Sequence, residues 1–451
     1  MTIAAAQPNH DPQRSVKQLP PEFYHSFLSK AAKERKPSPI RGLYPLEAKP
    51  GVISFLAGKP NDAMFPFQSF SFTATCPSNP GESTTVSLSG SDLAVGLQYG
   101  ATAGLPRLID WFMGLQERSH ERGRDEGWRL SVGTGSQDLI WKAVQSLVDE
   151  GDPVLIESPV YAGVIPMFKA LHCEENEVET DSNGVCSDSL RSILENWPVE
   201  KPKPRIFYTV PYGCNPTGMT ATIERRREVL ELAREHNFLI LEDDPYFYLY
   251  FGKAERPSSY FKLELEQPEV GRVLRFDSLS KILSAGMRIG FVSGPKPILD
   301  VIDLHTATVN LQPSSLAQSI ALALLEQWGY DGFYAHTKAV SQFYGEKRDV
   351  FEKAMRTHLG GLAEWSTPEA GMFFWFKLLL NPDSDEEGDS KELIEKKAYE
   401  GGVLALPGAV FLPNGRRTAY VRAAFSLSTE EQVNEALERL RVVILKERGR
   451  V

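Results

Sequence analysis

Along most of the chain, short β-rich runs alternate with stretches whose apolar residues recur at spacings of three and four. The clearest β-rich runs are VLIE, RIFYTV and FLILEDD, at residues 154–157, 205–210 and 238–244. The most regular helical periodicity covers residues 138–148 and 223–236. Strands that alternate with helices favour a parallel sheet, because each helix carries the chain back across the sheet. The sequence therefore predicts an α/β fold with a large domain, in which helices cover a mostly parallel sheet.

The pattern changes after about Ser314. Helical stretches at residues 316–328 and 429–446 flank three β-rich runs, MFFWFKL, VLAL and TAYVRAAF, and this order predicts a smaller α+β domain on a short sheet. The acidic run NPDSDEEGDS, residues 381–390, is expected to be a solvated loop. The predicted boundaries are an N-terminal arm with part of the small domain over 1–60, a large domain over 61–313 and a small C-terminal domain over 314–451.

Composition excludes several classes of protein. In 451 residues, 42% are hydrophobic and 24% are charged, which is typical of globular rather than disordered or fibrous chains. The net charge of −10 argues against nucleic acid or an anionic membrane as partner. The four cysteines form no CxxC pair and have no neighbouring His cluster, so neither a disulfide framework nor a metal site is expected. With no apolar run near ~20 residues and no secretory signal pattern, we expect a soluble cytoplasmic protein, with a mitochondrial location left open.

The segment SLSKILSAGMRIG, residues 278–290, contains the sharpest chemical signal. Lysine is the side chain that forms a Schiff base with a carbonyl group, so Lys281 is a candidate nucleophile. Ser278, Ser280 and Arg288 offer hydroxyls and a forked cation, which suit a phosphate dianion. Taken alone, such a lysine is usually a surface cation. Together, these residues predict a site that captures both an aldehyde and a phosphate.

Two further segments place polar side chains at the ends of predicted strands, where parallel-sheet proteins bind ligands. In LEDDPYF, Asp243 could face a pyridine nitrogen and keep it protonated, which would make the ring an electron sink. Tyr246, and Asn215 in PYGCNPTG, could donate hydrogen bonds to a phenolic oxygen on the same ring. Acidic residues at strand ends also serve as helix caps, and this alternative stays open for Asp243.

The run VGTGSQDLIWKAV, residues 132–144, is a glycine-rich turn that opens a helix. Free backbone N–H groups and the helix dipole suit a phosphate there, near Ser136 and Gln137. The spacing is neither a Walker loop nor GxGxxG, and this disfavours an NAD-type dehydrogenase. In ESPVYAG, Tyr161 could stack on a flat cofactor ring.

These five segments occur in the order and approximate spacing seen in fold-type I pyridoxal 5′-phosphate (PLP) aminotransferases, and the chain resembles that family over roughly residues 41–428. YGATAGLPRL and YVRAAFS strengthen the match. SPIR, LAGKPN, MFPF, EDDPY and GMFFW resemble the branch that contains kynurenine/2-aminoadipate and fungal aromatic amino acid aminotransferases. Relatives often read LAGGKPN, so the loop around Gly58 is expected to differ by a residue. That departure concerns side-chain selectivity more than catalysis.

The resemblance implies a role for each matching residue. Lys281 is the Schiff-base lysine, Asp243 the partner of the pyridine nitrogen, and Tyr161 the stacking ring, with Asn215 and Tyr246 on the phenolic oxygen. The residues implied at the cofactor phosphate are Ser136, Gln137, Ser278, Ser280, Arg288 and, from the second subunit, Tyr99. Those implied at the substrate are Arg422 on the α-carboxylate, with Arg41, Gly58, Asn215 and Phe374; Tyr44 and Phe411 are expected to add aromatic walls.

The resemblance thus predicts ping-pong transamination of aromatic L-amino acids with 2-oxoglutarate, in a homodimer with shared active sites. The expected donors are phenylalanine, tyrosine and tryptophan, with kynurenine as a further candidate. One alternative is a 2-aminoadipate/kynurenine aminotransferase, and another is a PLP-dependent lyase or decarboxylase on the same fold. A PLP-sensing transcription regulator needs an appended DNA-binding domain, for which the arm before Arg41 is too short.

Overall fold

The computed structural model describes residues 16–47, 49–56, 58–77, 79–381 and 387–449, without the side chains of residues 41, 44, 45 and 80. The chain forms two compact units. Unit 1 comprises Met1–Glu150, Asn237–Pro245 and Ser258–His336. Unit 2 comprises Gly151–His236, Tyr246–Pro257 and Thr337–Val451.

Unit 1 begins with short elements that lead into an antiparallel hairpin. The short helices and 3-10 turns are Pro21–His25, Lys30–Glu34, Arg41–Leu43, Tyr44–Glu47 and Asp62–Met64. The hairpin pairs Ser69–Cys76 with Asn79–Ser89, and helix Gly90–Leu97 follows it. Side chains of Ser69–Cys76 alternate between exposed and partly buried positions, as expected for a strand with one covered face.

Four strands form the sheet of unit 1. Their order is Trp128–Gly133, Gly290–Pro295, Val273–Ser278 and Leu239–Asp243. The last two run parallel, whereas Gly290–Pro295 runs antiparallel to both of its neighbours. The later helices and 3-10 turns of unit 1 include Pro106–His120, Ser136–Leu147, Tyr260–Leu263, Glu264–Glu266 and Lys296–Val309. Every residue of Val273–Ser278 and Leu239–Asp243 is buried, which is typical of strands covered on both faces.

The strand register brings the ends of several strands to one edge of this sheet. Gly290 pairs with Gly133 on one side and with Ser278 on the other. In the parallel pair, Asp243 lies opposite Phe276. The turn after Gly133, the segment after Ser278 and the carboxyl end of Leu239–Asp243 therefore emerge at the same edge.

Unit 2 contains two groups of strands. Ile206–Thr209, Pro153–Ser158 and Glu174–Asp181 are neighbours in that order and run parallel, and Gly184–Val185 closes the group antiparallel. The second group is an antiparallel sheet in the order Ala363–Trp365, Phe373–Leu378, Tyr420–Ala424 and Leu406–Pro407. The helices and helical turns of this unit are Ile165–Ala170, Ser187–Glu195, Ile223–His236, Phe247–Leu249, Ser390–Glu392, Leu393–Ala398, Gly408–Phe411 and Glu430–Glu447. The predicted α/β class, with a mostly parallel sheet, helices and a smaller antiparallel sheet, is confirmed.

The predicted helices agree with the observed ones to within a few residues. Periodicity at 138–148 corresponds to Ser136–Leu147, and Ile223–His236 has its predicted bounds. The stretch predicted at 316–328 opens the long helix Ser315–Leu359, which is interrupted at Gly329 with a φ of 63°. Glycine tolerates this left-handed backbone at little cost. The predicted domain boundaries stay a prediction, and residues 382–386 of the acidic run lie outside the described residues.

No helix in the described part of the chain is both long and apolar enough to cross a membrane.

A buried ion-pair network stabilises the sheet of unit 1. The guanidinium of Arg275 donates to Asp244 and, at 2.9 Å, to Asp277, and it lies 3.4 Å from Glu242. The side chain of Arg275 is fully buried. Burial raises the pKa of Asp277, whereas Arg275 acts in the opposite direction. Removing the cation would leave several buried carboxylates without their main counter-charge, which is strongly destabilising.

Arg275→Leu is therefore expected to lower the free energy of unfolding by about 3–5 kcal/mol. This loss in the free energy of unfolding should become smaller as the pH falls, because burying a protonated carboxyl costs less free energy than burying a charged one. Urea denaturation at several pH values measures both effects. Lys296→Leu is the control, because Lys296 pairs with Asp300 at the surface and should change stability by less than about 1 kcal/mol. Equal losses in the two variants would contradict the role of the buried network.

Candidate active site

Lys281 lies three residues beyond the end of strand Val273–Ser278 in unit 1 and is partly buried. Burial lowers the pKa of its amine, and the positive charge of Arg288 lowers it further. Only a neutral amine is nucleophilic, so both effects increase the reactive fraction of Lys281 at neutral pH.

Arg288 contacts polar groups in the segments on both sides of the candidate site. Its Nη1 donates to Ser280 Oγ at 3.1 Å, and its Nη2 lies 3.5 Å from the carbonyl oxygen of Thr134. Ser278 Oγ accepts from the backbone N–H of Ser280 at 3.2 Å. Arg288 itself has a φ of 53°, which is uncommon outside glycine. Serine hydroxyls around an arginine fork form a cradle suited to a phosphate.

The start of helix Ser136–Leu147 faces the same arginine. Its N-cap is Gly135, with a φ of 86°, which has no side chain to cap the first N–H groups. A Cβ at Gly135 would lie 2.5 Å from Arg288 Nη2, and one at Gly290 would lie 2.6 Å from the carbonyl carbon of Gly135. The two glycines thus permit the close approach of the turn, the arginine and the strand. The helix start offers backbone donors to an anion at this point.

Asp243 is the last residue of strand Leu239–Asp243 and is only 4% exposed. Its neighbour Asp244 is engaged by Arg275. Unit 1 therefore combines an amine of lowered pKa, an anion cradle and a buried carboxylate at one sheet edge. This set of groups fits PLP, whose phosphate, aldehyde and ring nitrogen need these three partners.

In unit 2, Arg422 lies on strand Tyr420–Ala424. Its Nη1 donates to Asn215 Oδ1 at 2.9 Å, while its buried Nε has no hydrogen-bond partner among the described residues. Burial lowers the pKa of this guanidinium, and the fields of Tyr246 and Tyr161 oppose that shift. A partly buried arginine with an unused donor is well suited to bind a carboxylate.

Aromatic rings surround Arg422. Its guanidinium carbon lies 4.4 Å from the ring centroid of Phe373 and 5.1 Å from that of Phe411. Phe373 also meets Tyr246 edge to face, with 6.1 Å between the ring centroids. The cation is therefore held in an aromatic environment, in which contacts to the ring faces are favourable.

Phe374, the aromatic residue expected at the substrate, has a different environment. It is fully buried in a hydrophobic cluster, stacked on Phe351 at 5.3 Å. In the sheet register, Arg422 lies opposite Trp375, so Phe373 shares a face with Arg422 and Phe374 points to the other face. Phe373 was not predicted, because the two-residue period of the strand puts Phe373 and Phe374 on opposite faces without showing which of them shares a face with Arg422.

A second feature missed from sequence is Glu157. Its fully buried carboxylate accepts from the Thr209 hydroxyl at 2.8 Å and from the Val210 N–H at 2.9 Å, and it contacts Cys214 Sγ at 3.2 Å. Burial, followed by the charge of Glu157, raises the pKa of the Cys214 thiol. These contacts hold the turn that leads to Asn215.

The structure brings the predicted residues into two groups. The unit 1 group comprises Ser136, Gln137, Asp243, Ser278, Ser280, Lys281 and Arg288, and the unit 2 group comprises Tyr161, Asn215, Tyr246 and Arg422. Tyr99 is 55% exposed, and Gly58 is exposed with open space around it. The side chains of Arg41 and Tyr44 lie outside the part of the chain that the structure describes.

Residues 94–440 match the model of a protein family described as aminotransferase class I and II. The chain belongs to this family. Aminotransferase tdiD of Emericella nidulans is 42% identical over 416 residues, covering 92% of this chain and 94% of the relative. The mitochondrial kynurenine/alpha-aminoadipate aminotransferase of Bos taurus is 38% identical, covering 93% and 99%.

Solved aminotransferase structures have the same fold. The aminotransferase Aro8 from Candida albicans superimposes with a TM-score of 0.87 at 26% identity, covering 96% of this chain and 100% of that one. A Pyrococcus horikoshii kynurenine aminotransferase in complex with PMP gives a TM-score of 0.71 at 27% identity, covering 94% and 98%. The present chain is thus a PLP-dependent aminotransferase, with amino acids and 2-oxo acids as substrates. The predictions of family, enzyme class and cofactor are confirmed.

Borohydride treatment of the holo aminotransferase is expected to attach the cofactor irreversibly to Lys281, because the bond between that amine and the aldehyde is reducible. Peptide mapping locates the label. Lys142 is an internal control in the same unit, because its amine is buried and paired with Asp138 at 2.9 Å and should stay unlabelled. A label on Lys142 or on another lysine would show that the nucleophile is wrongly assigned.

Proposed function

We propose that this aminotransferase transfers the amino group of aromatic L-amino acids to 2-oxoglutarate by a ping-pong mechanism. The proposed donors are phenylalanine, tyrosine and tryptophan, with kynurenine as a further substrate. The proposal rests on the position of Arg422 between the rings of Phe373 and Phe411. A carboxylate held by two parallel hydrogen bonds from this guanidinium would lie beside aromatic walls. Such walls favour a planar side chain by ~0.5–1.5 kcal/mol beyond area burial.

The proposed catalytic roles follow from the environments of individual residues. When bound, PLP supplies an aldehyde and an electron-withdrawing ring. Lys281, with a pKa lowered by burial and by Arg288, acts as the base that moves a proton from the substrate α-carbon. The buried Asp243 keeps the ring nitrogen protonated, while Asn215 and Tyr246 donate to the phenolic oxygen and Tyr161 stacks on the ring. Ser136, Gln137, Ser278, Ser280 and Arg288 bind the phosphate.

A second candidate function is transamination of 2-aminoadipate. It is supported by the name of the Bos taurus relative, a kynurenine/alpha-aminoadipate aminotransferase. In this proposal, Arg41 pairs with the distal carboxylate of a dicarboxylic substrate, and the loop around Gly58 influences which side chains are accepted. Relatives named aromatic amino acid aminotransferases, such as one from Schizosaccharomyces pombe at 31% identity, support the aromatic donors. A lyase on the same fold is the weaker alternative, and a dependence of turnover on a 2-oxo acid distinguishes the aminotransferase from it.

We further propose a homodimer in which Tyr99 of one subunit reaches the phosphate of the other. Tyr99 is 55% exposed, and Val95, four residues earlier in the sequence, is 52% exposed. Ile53, Phe55 and Met64 in the N-terminal region are more than 80% exposed. Large apolar side chains with such exposure are typical of surfaces that another chain covers. We also propose a cytoplasmic location for the protein.

Arg41→Ala should reduce kcat/KM for 2-aminoadipate by about tenfold, while kcat/KM for phenylalanine changes by less than about twofold, because only the dicarboxylic substrate loses an ion pair. Both are measured with 2-oxoglutarate as acceptor. Lys36→Ala is the matched control, since Lys36 is an exposed cation of the same N-terminal region. Equal losses for both substrates, or no loss, would remove Arg41 from the account of specificity.

Shared active sites predict complementation between two inactive variants. Lys281→Ala lacks the amine and Tyr99→Ala lacks the proposed cross-subunit contact, so a mixed dimer contains one site with both residues intact. Subunit exchange should therefore restore up to about one quarter of the parent activity, as expected for random pairing of subunits. Light scattering confirms the dimer. An active monomer, or no recovery after verified exchange, would contradict the shared site.

A further inference from the structure

Lys142 is an unusual residue of helix Ser136–Leu147 because its side chain is only 1% exposed. Its ammonium donates to Asp138 Oδ2 at 2.9 Å and lies 3.5 Å from Asn310 Oδ1. Burying an ammonium is unfavourable unless a partner offsets the lost hydration. A methionine would fill a similar volume without that cost, so the charge itself calls for an explanation.

The partner of Lys142 also holds the turn that precedes the helix. The same oxygen of Asp138 accepts the backbone N–H of Thr134 at 3.0 Å. The carbonyl of Thr134 lies 3.5 Å from Arg288 Nη2, and Thr134 is followed by the N-cap glycine, Gly135. One carboxylate oxygen therefore connects the buried cation to the turn beside Arg288.

This use of Asp138 creates an electrostatic conflict. A carboxylate in the first turn of a helix is favourable to the helix dipole, but it repels another anion at the same helix end. Asp138 follows Ser136 and Gln137 directly, where the phosphate is proposed to bind. Its charge would oppose the phosphate unless a cation cancels it.

Among the residues that the structure describes, Lys142 is the cation that pairs with Asp138 at this helix end. The neighbouring His305 contributes no charge near neutral pH, because burial, followed by the fields of Arg35 and Lys142, lowers its pKa to about 4. The Lys142–Asp138 pair is neutral as a whole, yet Asp138 keeps its hydrogen bond to the turn.

We propose that Lys142 is a positioning residue for phosphate binding: it cancels the charge of Asp138 so that this carboxylate can fix the turn at Thr134 without repelling the cofactor phosphate. The inference rests on the proposed phosphate role of Ser136, Gln137 and Arg288. Lys142 acts through Asp138 and needs no contact with the cofactor.

The test compares the dissociation constants of PLP and of pyridoxal, which lacks the phosphate. Lys142→Met should raise the PLP constant by about tenfold, the order expected of one uncompensated charge at partly screened distances, and leave the pyridoxal constant within about twofold. The double variant Lys142→Met with Asp138→Asn should return the PLP constant close to the parent value, since the amide oxygen can still accept from Thr134. Asp138→Asn alone should bind PLP at least as tightly as the parent.

Fluorescence titration of PLP-depleted protein measures each constant, and circular dichroism confirms that each variant is folded. Lys296→Met, which breaks an exposed pair of the same spacing with Asp300, is the matched control and should leave both constants unchanged. Equal weakening of PLP and pyridoxal in Lys142→Met, no weakening, or no recovery in the double variant would overturn the inference. If Lys142→Met does not fold, weaker PLP binding by Asp138→Asn overturns it and binding at least as tight as the parent supports it.

Arg288→Met separates this inference from the proposal on which it depends. If Arg288→Met leaves PLP binding unchanged, the phosphate assignment itself fails. If Arg288→Met weakens PLP binding but Lys142→Met does not, only the role of Lys142 fails.

Discussion

The antiparallel strand Gly290–Pro295 lies between two strands of unit 1, and the arrangement of the groups around Lys281 depends on it. Its first residue pairs with Gly133 on one side and Ser278 on the other, so the turn to Gly135 and the segment to Lys281 emerge together. A side chain at Gly290 would collide with the backbone of Gly135. Close packing of the backbone thus brings three segments that are distant in the sequence together around Arg288.

Burial of charged side chains affects both the stability of the fold and the reactivity of individual groups. In surroundings of low dielectric constant, an unpaired charge is costly to bury, and the attraction between two opposite charges is strong. Arg275 and Lys142 are buried with carboxylate partners and hold strands and turns in place. Lys281 and Arg422 are partly buried, and burial is the main cause of their lowered pKa values. Arg275 and Lys142 are thus paired with carboxylates, whereas Lys281 and Arg422 are cations proposed to bind ligands.

The elements and site residues differ in how far the sequence predicts them. Helix Ile223–His236 was predicted to the residue, because its apolar spacing is a local property. Lys281, Ser278 and Arg288 were predicted from chemistry concentrated in one segment, and the structure places them together. Phe374 was expected at the substrate, but the structure places Phe373 beside Arg422 instead. In GMFFW the two phenylalanines are equivalent in the sequence, and only the register with the neighbouring strand shows which of them shares a face with Arg422.

The α/β class, the family and the cofactor chemistry follow from the sequence, because they depend on periodicity and on short motifs whose residues are close along the chain. Tertiary contacts, by contrast, set the register that joins Gly133, Gly290 and Ser278 and the burial that shifts the pKa of Lys281. They also set the connection of Lys142, through Asp138, to the turn at Thr134. Pairings between distant strands, and the loss of water around a charge, depend on residues that no local window of the sequence contains.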